Sequence, residues 1–293
     1  MGTAESQMAS PNIDRSDFRL AARDFDLLGR FIESEVGIQV PPSKHAMIEA
    51  RLRKRLRALG MASFQEYTDR VLRSGRDEEE IVHLIDAVTT NKTDFFREPH
   101  HFDYLVKAAI PSLLDDQGAG LARPFTVWSA ASSTGEEPYT LAMVLSEFAE
   151  RHPMRWQVLA TDISTSVLER GKRGIYSEAV AEPIPSVLKC KYLRRSRDRE
   201  RGLVRVVPAL RQKVTFQRLN LLSRRYAIPG PIDVIFCRNV FIYFNRKTQA
   251  EILHRFVNLL RPGGFVFLGH SETTNGLSVP LSQVEPTVYC KGK

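Results

Sequence analysis

The chain has 293 residues, 43% hydrophobic and 26% charged, with a formal net charge of +8. That length buries a large core and predicts more than one domain, and the composition excludes a fibrous or unfolded chain. No apolar run approaches the roughly 20 residues of a membrane span, the N-terminus lacks a secretion signal, and Cys190, Cys237 and Cys290 lack metal-ligand spacing, so the expectation is a cytoplasmic protein with reduced, buried thiols, no membrane insertion and no metal.

Residues 1–14 are small and polar and read as a flexible tail. Residues 15–88 read as all-helical. Phe25, Leu28, Phe31 and Ile32 recur at helical spacing before Gly37, and Pro41-Pro42-Ser43 opens a second helix that Gly60 closes. Ser63 and Glu66 form a capping-box pattern for a third helix ended by Gly75, and Asp77 to Val88 forms a fourth. Residues 89–98, polar and ending before Pro99, read as a linker.

From there helix and strand alternate. Residues 102–114, 137–151, 165–173 and 247–260 read as helices. Residues 125–132, 157–163, 214–218, 233–239, 265–269 and 287–290 read as strands, with a turn at Pro262-Gly263-Gly264. This is the signature of an α/β fold with a mainly parallel sheet. Tyr192 to Arg195 and Leu203 to Val207, joined by a polar turn, read instead as an antiparallel hairpin insert. Between Ser186 and Lys213, ten basic residues stand against Asp198 and Glu200 alone, and Arg51, Arg53, Arg55 and Arg57 lie with Lys54 on the second helix. Each cluster reads either as a surface for an acidic partner or as a solvated face.

Three motifs carry chemistry. The apolar run Phe125 to Ala131 passes through Ser132-Ser133-Thr134-Gly135 into Glu136-Glu137-Pro138, a strand, a tight turn and a helix start. One glycine and two acids suit a ligand with hydroxyls or positive charge better than a pyrophosphate. Asp162, closing the next strand, suits ribose hydroxyls; its alternative is a helix N-cap. Asp233 to Asn245 delivers Arg238 and Asn239 to a strand end, with Tyr243 close behind; a structural salt bridge and a packing tyrosine are the alternatives.

With Thr90 to Glu98, Trp128 to Tyr139, Ala160-Thr161-Asp162, Phe236 to Val240, Ile242-Tyr243-Phe244 and Gly269-His270-Ser271-Glu272, the chain resembles the chemotaxis receptor glutamate O-methyltransferases, the CheR family, over nearly its whole length. The resemblance implies a Rossmann-like S-adenosylmethionine-dependent methyltransferase sheet with an N-terminal all-helical domain and a small antiparallel β-subdomain insert. The implied divisions are a tail at 1–14, a receptor-docking domain at 15–88, a linker contributing to the active site at 89–98, and a methyltransferase domain at 99–293 with its insert at about 176–213.

The implied function is transfer of a methyl group from S-adenosylmethionine to chemoreceptor glutamates, leaving S-adenosylhomocysteine. Asn91, Thr93 and Arg97 would contact the cofactor from the linker. Glu137 would hold its amino-acid end, Asp162 its ribose, Asn220 and Leu221 its adenine, and Arg238 and Asn239 its methionine moiety. Arg97 and Tyr243 would face the target carboxylate. Arg51, Arg53, Arg55 and Arg57 would dock the cytoplasmic helical domain of a receptor, the enzyme acting as a monomer. His270 reads as a structural hydrogen-bonder. Ser164 stands where members often carry a second acid, and Ser132 where others have Cys or Ala. The hairpin tip Ser196 to Arg201 is charged where peptide-binding relatives carry glycines.

A nucleic-acid methyltransferase is a rival reading, but it would want aromatics among the basic residues, and 193–213 contain none. A catalytically silent receptor-binding module is the other.

Overall fold

The computed structural model describes residues 19–72, 77–89, 91–117 and 119–292, so the tail at 1–14 and Gly75 lie outside the described residues. The chain forms two compact units. One ends at Ser34 and resumes over Val40–Val88; the other comprises Glu35–Gln39 and Thr89–Lys293. Residues 35–39, which the sequence assigns to the helical block, belong to the larger unit.

The smaller unit is built from α1 (Ala22–Val36) as far as Ser34, α2 (His45–Leu59), α3 (Phe64–Leu72) and α4 (Glu78–Val88). Each buries an apolar stripe: Ile48, Leu52 and Leu56 on α2, and Ile81, Leu84, Ile85 and Val88 on α4. Gly60 ends α2 at φ 67°, a left-handed cap that glycine adopts without strain. Ser63 Oγ accepts from the Glu66 N–H at 3.2 Å, while Glu66 reaches back to Ala62 N–H at 3.0 Å, one residue earlier than the box pattern expects.

In the larger unit a seven-stranded sheet has the order β6-β2-β1-β7-β8-β10-β9. Its strands are β1 (Phe125–Ala130), β2 (Trp156–Asp162), β6 (Val214–Arg218), β7 (Ile232–Cys237), β8 (Leu260–Leu268), β9 (Leu281–Glu285) and β10 (Val288–Lys291). The first five named are mutually parallel, and β10 is antiparallel to both its neighbours. Burial on both faces explains the near-continuous apolar runs. On β7, Val234 and Phe236 enter one core, and Ile232, Ile235 and Cys237 the other. Helices α7 (Glu136–Arg151), α8 (Thr165–Arg173) and α11 (Arg246–Leu259) connect the strands.

The insert is a three-stranded antiparallel sheet, β3-β5-β4, formed by β3 (Ile175–Ser177), β4 (Leu193–Arg195) and β5 (Leu203–Val206). Beside it are α9 (Ser186–Tyr192) and α10 (Pro208–Arg211). The hairpin is as read; β3, α9 and the edge strand β9 were not foreseen.

Three readings need correction. The Pro262–Gly264 turn is an irregularity inside β8: Ile232 pairs with Leu260 and Val234 with Phe265. The helix at 102–114 starts earlier and changes register, as α5 (His100–Tyr104), a π-helical turn over Leu105–Ala109, and α6 (Ile110–Gln117). Pro111 accounts for that turn, because it has no N–H and its ring clashes with the carbonyl four residues back. Of the cysteines, all free, only Cys237 is buried and Cys190 is exposed. No helix among the described residues is long and apolar enough to cross a membrane, and no group of His, Cys, Asp or Glu there is arranged to hold a metal.

Candidate active site

The order of the sheet places β1 between β2 and β7, so the chain leaves these neighbouring strands in opposite directions. A crevice at their carboxyl ends is where α/β sheets bind ligands. Backbone strain concentrates at that edge. Among the described residues, the non-glycine ones with left-handed φ are Phe96, Glu98, Ala131, Ser133, Asn239 and Thr287. Five lie in the linker, the β1 turn or the β7 loop. Such conformations cost about 1–3 kcal/mol each and persist only where the surroundings impose them.

In the β1 turn the Ser132 N–H donates to the Thr161 carbonyl at 2.8 Å, and the Ser133 N–H to Asp162 Oδ2 at 2.9 Å. A Cβ on Gly135 would come within 2.8 Å of the Tyr176 hydroxyl and 3.0 Å of Gly171 Cα. The glycine therefore serves packing beneath the turn. Asp162 Oδ1 accepts from the Ser164 N–H at 2.9 Å, while the N-cap of α8 is Ser164 itself, accepting from Val167. Asp162 is thus a buried carboxylate fixed by two backbone donors at the strand end, and not the helix cap.

Arg238 is the hub of the edge. Its Nε donates to Glu137 Oε2 at 2.7 Å, and its Nη1 donates to the Arg97 carbonyl at 2.6 Å, with Glu98 Oε2 at 3.4 Å and His101 Nδ1 at 3.3 Å. Phe102 and Phe236 flank the guanidinium at 5.2 and 5.6 Å. Glu137 Oε1 also accepts from Ser129 Oγ at 2.6 Å. Among the described residues Nη2 has no partner. A guanidinium only donates, so His101 Nδ1 is the acceptor and its Nε2 carries the proton, donated to Thr287 Oγ1 at 2.8 Å. Burial, reinforced by the charge of Arg238, drives the His101 pKa down to about 2 and keeps the ring neutral.

Glu272 fixes the β7 loop. Its carboxylate accepts from the backbone N–H groups of Gly269 at 2.6 Å, Asn239 at 2.9 Å and Phe241 at 2.7 Å. Burial raises its pKa against the opposing pull of these donors. The loop thereby holds Asn239 at φ 61° and presents the 3-10 turn Phe241–Tyr243. The Tyr243 carbonyl accepts from Gln39 N–H at 3.0 Å.

After β6, the Asn220 amide donates to the Glu35 carbonyl at 2.7 Å, and its oxygen accepts from Leu222 N–H, so its side chain is committed to the protein. Leu221 is buried. In the linker, Arg97 is partly exposed, with Nη1 on the Lys92 carbonyl at 3.3 Å. Asn91 offers its carbonyl to Ser133 Oγ at 2.9 Å, and Thr93 is partly exposed beside it in sequence. His270 pairs with His100 at 3.3 Å, and its N–H donates to Glu98 Oε1, in keeping with a structural role.

The structure therefore gathers Glu137, Asp162, Arg238, Asn239, the linker and the β7 loop at one edge of the sheet. Sequence reasoning missed Glu98, His101, Ser133 and Glu272. Glu98 and Glu272 left a signal as acids inside the linker and the Gly-His-Ser-Glu motif, and Ser133 as part of the turn after the first strand; His101 left none.

The basic helix fares differently. Arg55 makes a two-point bond to Glu80, which is 1% exposed and also accepts from Tyr67. Nε and Nη2 of that guanidinium are thus engaged inside the helical unit. Arg53 pairs with Glu49, Arg51 Nη1 donates to the Ala87 carbonyl at 3.0 Å, and Arg57 is exposed.

Residues 91–290 match the family model "CheR methyltransferase, SAM binding domain", and 23–89 match "CheR methyltransferase, all-alpha domain". The chain is 43% identical over 278 residues to the chemotaxis protein methyltransferase of Escherichia coli, spanning 94% of this chain and 93% of that one. It is 39% identical to chemotaxis protein methyltransferase 2 of Pseudomonas aeruginosa over 96% and 97% of the two chains. The solved structure of PKMT2 from Rickettsia typhi in complex with AdoHcy is similar at 21% identity and a TM-score of 0.31, over 50% of this chain and 22% of that one, and adds nothing to the family match.

Proposed function

The chain belongs to the CheR methyltransferase family and is an S-adenosylmethionine-dependent enzyme that methylates chemoreceptor glutamates in chemotaxis adaptation; we propose that the reaction is carried out at the carboxyl edge of the sheet by the residues gathered there. The observation that carries this assignment is the Glu137–Arg238 pair. It sets a buried carboxylate beside a buried guanidinium whose Nη2 has no partner among the described residues, matching the opposite charges of an amino-acid zwitterion. On this reading Arg238 and Asn239 take the carboxylate side of the methionine end and Glu137 the ammonium side. Asp162 takes the ribose, the Asn220–Leu221 segment borders the adenine through backbone and Leu221 side chain, and Asn91, Thr93 and Arg97 cover the site from the linker.

S-adenosylmethionine supplies a methyl group on a sulfonium. The acceptor glutamate, with an ordinary pKa of about 4.3, is already ionised at neutral pH, so the chain need provide no general base. Its task is orientation, which supplies up to about 7–11 kcal/mol in well-aligned cases. Arg97 can hold the target carboxylate at two points, and Tyr243 flanks it from the β7 loop. Negative charge on that carboxylate is lost as the ester forms, so the grip of Arg97 must stay moderate.

Transfer of labelled methyl to a receptor fragment, with a base-labile product, tests the assignment. Arg97→Ala should lower turnover about 10–100-fold, the equivalent of a charge-assisted hydrogen bond, with the melting temperature unchanged. Unchanged turnover would remove Arg97. Calorimetry with S-adenosylmethionine separates this reading from a silent module, which need not bind it.

The helical unit would dock the cytoplasmic helical domain of the receptor through Arg51, Arg53 and Arg57, the enzyme acting as a cytoplasmic monomer. Reversing the charges of Arg51 and Arg57 should weaken receptor methylation, more so at low salt, without changing cofactor affinity. Equal loss of both would point to misfolding.

A further inference from the structure

The linker from Asn91 carries proposed cofactor residues, the turn after β1 lies against another, Asp162, and the side chain of Ser133 joins the two segments. Ser133 Oγ donates to the Asn91 carbonyl at 2.9 Å, and the Ser133 N–H donates to Asp162 Oδ2 at 2.9 Å. The residue is 8% exposed and sits at φ 49°. A serine is held in that unfavourable conformation only by its partners. Here the conformation lets the backbone donor serve the end of β2 while the hydroxyl serves the linker. The contact to Asn91 is through its main chain, because the Asn91 side-chain amide is bonded to Thr89 Oγ1 at 3.3 Å. Asn91 can therefore offer its side chain to a ligand, or be substituted, without releasing the latch. The Phe96 N–H is tied to Thr140 Oγ1 at 3.2 Å, so the linker is pinned near both ends, and the Ser133 pin is the one that also touches a proposed cofactor acid.

Resting on the reading that Asn91 and Asp162 hold the cofactor, we propose that Ser133 is a positioning residue for S-adenosylmethionine. It seats the linker on the turn and fixes the Asp162 carboxylate, so that both are held in place before the cofactor arrives. Neither group need then be ordered at the moment of binding, which is where preorganisation yields affinity.

Two substitutions at this position pull stability and binding apart. Ser133→Gly removes the hydroxyl but relieves the left-handed backbone. Ser133→Thr keeps the hydroxyl but puts a β-branched residue where it is strained. For Ser133→Gly the dissociation constant and KM for S-adenosylmethionine should rise about tenfold, the worth of one buried hydrogen bond, with turnover at saturating cofactor within about twofold of the parent. Hydrogen exchange of the 91–98 amides should quicken in its cofactor-bound form, while its melting temperature holds. For Ser133→Thr the melting temperature should fall and cofactor affinity should stay within about threefold of the parent.

A serine with only a structural role would make affinity follow stability in both variants, and that pattern overturns the proposal. So does a Ser133→Gly protein with parental affinity and linker exchange while Asp162→Ala binds cofactor weakly. If Asp162→Ala itself binds with parental affinity, the cofactor reading fails and the latch falls with it.

Discussion

Strand β7 begins and ends in a buried ion network, and the two are built to opposite rules. At its start Asp233, with no exposure, accepts from Arg123 Nη1 and Nη2 at 2.6 Å each, from the Thr126 N–H at 2.8 Å and from Arg261 Nη1 at 3.3 Å. Four donors fill a carboxylate's capacity. That network stitches the beginnings of β1, β7 and β8 together and leaves its acceptor nothing to offer. At the other end the central ion is a cation. Arg238 spends Nε and Nη1 on Glu137, Arg97, Glu98 and His101 and keeps Nη2. A buried charge alone is therefore a poor marker of a site, and so is a spare donor alone, since Arg261 Nε in the Asp233 network is buried without a partner among the described residues; what differs is the central ion, a filled acceptor at one end and a cation with a donor left at the other.

The largest effects should come from removing the two central charges. Asp233→Ala leaves Arg123 and Arg261 without their counter-ion and should cost about 3–5 kcal/mol of stability in denaturant unfolding. The protein that remains folded should bind S-adenosylmethionine as before. Arg238→Ala should cost a similar amount, stranding Glu137 and Glu98, and should also abolish cofactor binding. If Asp233→Ala weakened binding comparably, the contrast between the two ends would collapse.

Glu137→Gln sharpens the contrast without stranding a charge. The amide keeps the shape and one acceptor for Arg238 Nε but cannot neutralise an ammonium. Cofactor affinity should fall about 10–100-fold, the range of a charge-assisted hydrogen bond, with a smaller loss of stability. A variant that loses stability but keeps affinity would make Glu137 a structural partner of Arg238, like the acid at the other end.

Much of this edge was legible in the sequence because its strands are buried on both faces. Trp156 to Asp162 and Ile232 to Cys237 are almost wholly buried, with apolar runs whose ends are sharp, so Asp162 and Arg238 could be placed at strand ends. The edge strand Leu281–Glu285 was not legible, since four of its five residues are exposed and carry no alternation. Nor were the contacts of Arg238, whose partners lie 101 to 141 residues away. The ion pair of Arg55 with Glu80 was only partly legible. Arg51, Arg53, Arg55 and Arg57 alternate at a spacing of two, and a helix turns about 100° per residue, so all four cannot share a face. Which of them turned inward was then decided by a buried acid on another helix, Glu80.

The pH dependence of stability should also separate the two ends. His101 titrates at about 2 in the fold, below the ordinary value near 6.5, because burial and then Arg238 oppose its charge. A depressed pKa contributes stability that is fully present above about 6.5 and is lost as pH falls toward the folded value, since only the unfolded chain takes the proton. His100 is displaced the same way, by burial and then by His270. Between pH 6.5 and 5, His101 alone should contribute a slope approaching 1.4 kcal/mol per unit. His101→Asn keeps an acceptor for Arg238 and should flatten that slope by about one proton, whereas a parental slope would mean that His101 is protonated in the fold.

The smallest effect expected is at Ser132, in the turn itself. Its Oγ is buried and has no hydrogen-bond partner among the described residues. The hydroxyl is enclosed rather than held out to a ligand, unlike Arg238 Nη2 at the same edge. An unsatisfied buried hydroxyl costs about 1–3 kcal/mol of desolvation, so Ser132→Ala should raise stability by up to about 1 kcal/mol once lost contacts are counted, and leave cofactor affinity alone. Weaker binding in that variant would mean that the hydroxyl turns to the cofactor on binding, and spare capacity at this edge would then extend beyond Arg238.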